Sequence, residues 1–204
     1  MLVDAFLPVY DVSDSVATVV DADVARTWDA LMRVDLLEVG RQRPVIALLG
    51  ALRALPELVS QVWHGEASAP RPAHLRLHDI AHMPLGEGGW VLLGERPRHE
   101  IALGLVGTFW RPVITFAKVT SEEFRDFSQP GFAKTVYSLS VAPLDGDRTL
   151  LSGVMRTATT DDRARRWFRR YWTLGVGSGA HVLVNGLLAV TREMAEARAG
   201  VSDV

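Results

Sequence analysis

Residues 161 to about 199 read as one long helical pattern, and this tail constrains the fold more than any other stretch. Phe168, Tyr171, Trp172, Gly175, Gly179, Leu183, Leu187, Val190 and Met194 fall roughly along one stripe, while the arginines of "DDRARRWFRR" crowd the first turns. A helix of that length with a single apolar stripe must rest on something wide. An antiparallel sheet is the natural platform, because a sheet buries one face against a covering layer.

The strands for such a platform are present. "SVATVVDA" (15–22) alternates and is β-branched, and from residue 74 onward the period is strand-like in six segments: 74–83, 89–97, 98–106, 113–119, 132–144 and 148–160. "DGD" between the last two is a hairpin signal. Successive strands with short links make an antiparallel meander. After the first strand, Asp21 or Asp23 opens a helix with Val24, Trp28, Leu31 and Met32 at helical spacing, and a second amphipathic helix is expected over Pro44–Leu55. "TSEEFRDF" (120–127) reads as a short capped helix.

The expected fold class is therefore α+β with a helix-grip layout. A curved antiparallel β-sheet wraps around the long C-terminal α-helix, and two short helices follow the first strand. The 204 residues suit a single domain, 1–204.

Charge and residue usage remove several classes of function. With 22 basic and 24 acidic residues spread along the chain, net charge is −2 and no footprint for a nucleic-acid partner is visible. The absence of cysteine removes disulfides, thiolate catalysis and cysteine-ligated metals. "PVIALLGALRALPELV" (44–59) is interrupted by Arg53 and is too short for the roughly 20 residues of a membrane span. The start, "MLVDAFLPVYDV", lacks the pattern of a secretory signal. A cytoplasmic protein with no membrane span is expected.

Four stretches, "ERPRHEIALGLVGTFWRP", "EEFRDFSQPGFAKTVYSLSV", "LLSGVMRTATTDDRARRWFRRYW" and "LLAVTREMAE", resemble bacterial members of the START-like (SRPBCC, Bet v 1-like) superfamily, in an uncharacterised branch. The likeness runs from about residue 14 to 197. It implies the helix-grip fold and a cavity between sheet and helix, in a superfamily that spans lipid carriers, hormone receptors, cyclases and hydroxylase subunits. The chain departs from the pattern at Val154, Met155 and Arg156, where relatives carry Glu-Thr-Arg. It also departs at "GVGSGAH" (175–181), where they carry Pro-x-Ser.

Candidate site residues follow from alternation and residue type. In 98–106, Arg98, Glu100, Ala102, Gly104 and Val106 share one face, and His99, Ile101, Leu103 and Leu105 the other. Glu100 on the small-residue face is a partly buried carboxylate in want of a cation, and Arg156 in the last strand, beside Met155, is the candidate partner. The pair is either a structural ion pair or a polar anchor for a ligand. Trp110, Tyr137, Tyr171 and Trp172 carry polar handles on apolar bodies. They are either core packing or the cavity wall, Tyr137 on the inward face of Thr135, Leu139 and Val141.

Glu100, Trp110, Tyr137, Met155, Arg156, Tyr171 and Trp172 are accordingly the expected ligand-binding set. No residue is assigned a catalytic role, and no cofactor is required. His74, His78 and His82 recur every four residues, but on a strand that spacing is about 13 Å, too far for one metal ion. "GVGSG" (175–179) fits neither a nucleophile elbow nor a dinucleotide loop, since no strand precedes it in register. Its glycines either let the helix approach the sheet or leave a gap above it.

The leading functional expectation is binding of a small hydrophobic molecule, lipid- or polyketide-like, between sheet and helix. The alternatives are a polyketide cyclase- or dehydratase-like enzyme using the same cavity, and an interaction protein in which a homodimer partner covers the second sheet face.

Overall fold

Period-two segments of the chain become one antiparallel sheet. The computed structural model describes residues 1–42, 74–82 and 89–197. Among them, strands β1 (Val12–Val20), β2 (Trp90–Arg96), β3 (Glu100–Gly107), β4 (Ala133–Pro143) and β5 (Thr149–Thr159) lie in the order β1-β5-β4-β3-β2. Gly146 turns the "DGD" hairpin between β4 and β5 at φ 67°, a conformation glycine adopts without steric cost. Arg98 and His99 form the turn between β2 and β3, where the His99 N–H donates to the Arg96 carbonyl at 2.9 Å. The polar entrance to the apolar run is thus a hairpin turn.

The helices are α1 (Leu2–Phe6), α2 (Val24–Arg33), α3 (Leu36–Gln42), α4 (Leu77–Ala81), α5 (Ser121–Asp126), α6 (Asp162–Tyr171) and α7 (Gly177–Ala197). A π-helical turn, Trp172–Val176, joins the last two. Asp23 caps α2, accepting the Arg26 N–H at 2.8 Å, and Trp28 and Leu31 are buried as their spacing requires. Thr120 and Glu123 close a reciprocal capping box on α5.

Alternation along the strands divides the sheet into two apolar faces, and each has its own cover. Ile101, Leu103, Leu139 and Leu151 point inward and meet α2, α4 and α7 through Leu31, Ile80 and Leu188. Ala102, Val106 and Val136 point outward and meet Leu2 and Val3 of α1 and Phe124 of α5. At Gly104 a Cβ would stand 2.8 Å from Phe124 Cε2. The small residues of this face therefore admit an aromatic ring of the same chain. Within the chain this face is covered by α1 and α5.

Three expectations are corrected. Residues 74–83, read as a strand, contain α4, because Leu77, Ile80 and Ala81 are a buried i, i+3, i+4 stripe. Residues 113–119 are not a strand: they pair with the sheet only at the Gly107–Phe116 bridge, beyond the end of β2. The tail is not one continuous helix. Asp162–Leu174 and Gly179–Ala197 meet at 63° across the π-helical turn.

The apolar stripe holds in part: Leu187 and Val190 are buried as expected, together with Val184, Leu188, Thr191 and Ala195, while Leu183 is 36% exposed. The second amphipathic helix expected over 44–55 lies outside the described residues.

α7 approaches the sheet closely at Gly153 in β5, where a Cβ would sit 2.6 Å from Val184 Cγ1. A β-branched neighbour has little rotameric freedom to retreat. Gly153→Val is expected to overpack this contact and lower stability by about 1–3 kcal/mol, read as a lower urea midpoint. An unchanged midpoint would show that the helix does not bear on this strand.

Candidate functional site

Past Gly153 the helix leaves the sheet, and the inward side chains lose their cover. Thr135 and Tyr137 of β4, Met155 and Thr157 of β5 and Leu105 of β3 project into the space, which is closed from above by Phe168, Tyr171, Trp172 and Ala180. Phe109, Ile114 and Phe116, carried by the loop after β3, form the remaining wall. Together they enclose a cavity of about 160 Å³. The cap over it is held in place by charge: Asp161 accepts the Ala164 N–H at 2.8 Å at the start of α6, and Arg165 meets Asp11 at 2.8 Å.

The cavity wall is almost entirely apolar, with two polar features. Tyr137 lays its ring against Trp90, 5.8 Å between centroids, with its phenol in the cavity wall. Burial, with Tyr171 nearby, pushes its pKa up to about 12, so the phenol stays neutral and keeps a proton to donate. The second feature is the buried Thr135–Thr157 pair, whose hydroxyl oxygens lie 2.8 Å apart. Two hydroxyls bring two hydrogens and their mutual bond uses one, which leaves one donor to spare. Among the described residues, the lining holds no carboxylate, imidazole, amine or guanidinium.

Four of the seven residues expected from the sequence, Tyr137, Met155, Tyr171 and Trp172, line this cavity. Trp110 does not. It stacks edge-on against the outer side of Phe168, 6.4 Å between centroids, and lines a separate open groove.

Glu100 and Arg156 lie on the opposite face of the sheet, and they do not pair with each other. The Glu100 carboxylate, 5% exposed, accepts the Leu2 N–H at 2.7 Å and the Ser138 hydroxyl at 2.6 Å. Arg156 binds Asp4 at 2.8 Å, donates to the Leu7 carbonyl at 3.3 Å and lies 4.6 Å from the Tyr10 ring centroid. The Met1 amine and then Arg156 hold the Asp4 carboxyl below its ordinary range. Both charges strap the N-terminal helix to the sheet. A cyclase-like enzyme would need polar groups converging in the cavity, and Glu100, Arg156 and Tyr137 do not converge on one void.

Sequence reasoning missed Thr135 and Thr157, although each shares an inward face with a residue it did select. It also missed Phe109, Ile114 and Phe116, because nothing local to a loop marks the side on which it will fold. The histidine spacing was judged on strand geometry that does not hold. On α4, His78 and His82 bring their ring centroids to 4.3 Å, and His82 Nδ1 lies 2.8 Å from the His78 carbonyl, while His74 pairs with Asp35 at 2.8 Å. Among the described residues, no three His, Asp or Glu side chains are placed to share a metal ion. No single helix among them is long and apolar enough to cross a membrane.

No protein-family model matches the chain, and no curated protein does. Solved structures similar to it include a conserved protein from Geobacillus kaustophilus, at 10% identity and a TM-score of 0.40 over 91% of this chain and 95% of that one. A protein from Arthrobacter aurescens is similar at 13% identity and a TM-score of 0.37, over 89% of this chain and 86% of that one. CalU16 from Micromonospora echinospora is similar at 14% identity and a TM-score of 0.29, over 93% and 87% respectively. The functional reading rests on the cavity itself.

Two outcomes test these placements. Glu100→Ala strands the Leu2 N–H and the Ser138 hydroxyl, and should cost about 1.5–3 kcal/mol in denaturant melts. It should also raise hydrogen exchange in α1, and unaltered exchange there would remove the strap.

The second concerns Tyr137, whose folded pKa of about 12 lies above the ordinary 10.0. The folded protein keeps this proton between about pH 10 and 12 while the unfolded chain releases it, so stability holds below that window and falls across it. The loss is on the order of 2–3 kcal/mol. Tyr137→Phe should lack that component in urea midpoints measured at rising pH, and identical profiles would place the phenol in water.

Proposed function

We propose that this chain binds a small, largely apolar molecule in the cavity between the sheet and the bent C-terminal helix. The observation that carries the reading is the Tyr137 phenol, kept neutral by burial, in an apolar, aromatic-walled space. A neutral phenol donates one hydrogen bond, and an occupant with an acceptor can take it. The spare Thr135–Thr157 hydroxyl offers a second fixed point across the wall. Affinity then comes from buried apolar area, and orientation from these two donors.

The volume sets the size of the occupant. A dry apolar cavity of about 150 Å³ accommodates a benzene-sized molecule. At about 160 Å³ this one suits a single ring or a short acyl segment that carries a carbonyl or hydroxyl oxygen. Lipid- or polyketide-like ligands fit through such a fragment. The described lining holds no carboxylate, imidazole, amine or guanidinium and its Tyr137 phenol stays neutral, which favours binding over acid–base chemistry on the ligand.

Native mass spectrometry of the purified protein, paired with thermal-shift titration by simple phenols and aryl ketones, tests this. A bound small molecule or a saturable upward shift is expected. Tyr137→Phe should weaken binding about threefold to tenfold, the worth of one buried hydrogen bond. Ala180→Phe should fill the space and abolish binding in a protein that remains folded. No adduct and no shift from any ring compound would overturn the reading.

A further inference from the structure

The outer surface of α6 presents a pattern that the cavity does not use. Arg163, Trp167 and Arg170 are spaced four and three residues apart, which on a helix is one continuous stripe, and Leu174 follows it in the π-helical turn. The opposite side of the helix carries the buried Ala164 and Phe168. Trp167 is 49% exposed and Leu174 is 85% exposed, although both are large and apolar. The Arg170 guanidinium lies 5.3 Å from the centre of the Trp167 ring, so cation and aromatic are presented together.

The surface continues beyond the helix. Trp110, Arg111 and Pro112 form, with Arg163 and Trp167, an open groove of about 410 Å³. The loop that carries them also exposes Val113, at 45%, and Phe116, at 40%. Arg166 and Arg169 add positive charge along α6, in a chain whose overall charge is −2.

From this stripe we infer that α6 and the loop after β3 dock on an anionic membrane surface, lying in the headgroup layer without spanning it. An alternation of arginine with exposed tryptophan and leucine matches that boundary on both counts: the guanidinium groups meet lipid phosphates, and the apolar side chains enter the acyl edge. An acidic protein or a nucleic acid would satisfy the arginines and leave Leu174 and Val113 in water. Phe116 borders both this surface and the cavity, so docking brings the cavity wall to the lipid boundary. The inference is independent of the cavity's occupant.

Co-sedimentation of the full chain with phosphatidylcholine vesicles, with and without phosphatidylglycerol, tests it. Binding is expected to the anionic vesicles, to weaken as salt rises, and to be slight on the neutral ones. Arg163→Glu with Arg170→Glu should lower the partition at least tenfold, and Trp167→Ser with Leu174→Ser should lower it severalfold. These side chains are exposed, so unchanged melting curves would verify that the variants fold. Absence of binding to anionic vesicles overturns the inference. So does binding to heparin or polyglutamate without vesicle binding, and so does a Trp167→Ser/Leu174→Ser variant that partitions like the parent chain.

Discussion

At Gly153 the C-terminal helix comes so close to the sheet that a single methyl group would collide with Val184, 2.6 Å away. Every feature of the inner face depends on this contact. It seats α7 against the strands, and the π-helical turn just before it lets the chain lift away at 63°. Where the helix lies flat, Leu139, Leu151 and Leu188 pack as solid core. Where it lifts, the same strands continue without a close cover, and a cavity opens over Tyr137 and Met155. Core and cavity are consecutive stretches of one sheet face, separated by the height of one helix above it.

The outer face answers a different constraint. A five-stranded sheet that is apolar on both sides must be covered on both, and here a five-residue helix is asked to cover much of one. Such a short helix has almost no stability of its own. Glu100 and Arg156 supply what it lacks, one holding its first backbone N–H and the other its Asp4 side chain. The buried carboxylate is satisfied by two donors that would otherwise be orphaned, which is why its burial is tolerated. Residues that look like chemistry in the sequence serve attachment in the fold.

Much of the architecture was legible in the residues because local rules and tertiary packing agreed. Asp23, the Thr120–Glu123 capping box and the "DGD" hairpin each act where their side chains predict. The strand parity around Ile101 and Tyr137 holds as well. Agreement failed where a short stretch satisfied two periods at once. Leu77, Ile80 and Ala81 fit a helix, while the alternating Leu75 and Leu77 fit a strand, and packing against α2 decided for the helix. The continuity of the tail failed for another reason: a π-helical turn bends it, and no single residue type announces such a turn.

For the candidate site the division is sharper. Alternation determines which residues of a strand lie together, and so the sequence by itself grouped Tyr137 with Thr135 and set Glu100 apart from Leu105. It carries no sign, because a strand has two equivalent sides until something covers one of them. Only the tertiary structure decided that α7 lies over Tyr137 and that α1 lies over Glu100, and that the loop after β3 folds Phe116 toward the cavity and leaves Trp110 outside. Those choices rest on contacts between segments far apart in the chain, where apolar area buried on one face competes with apolar area buried on the other.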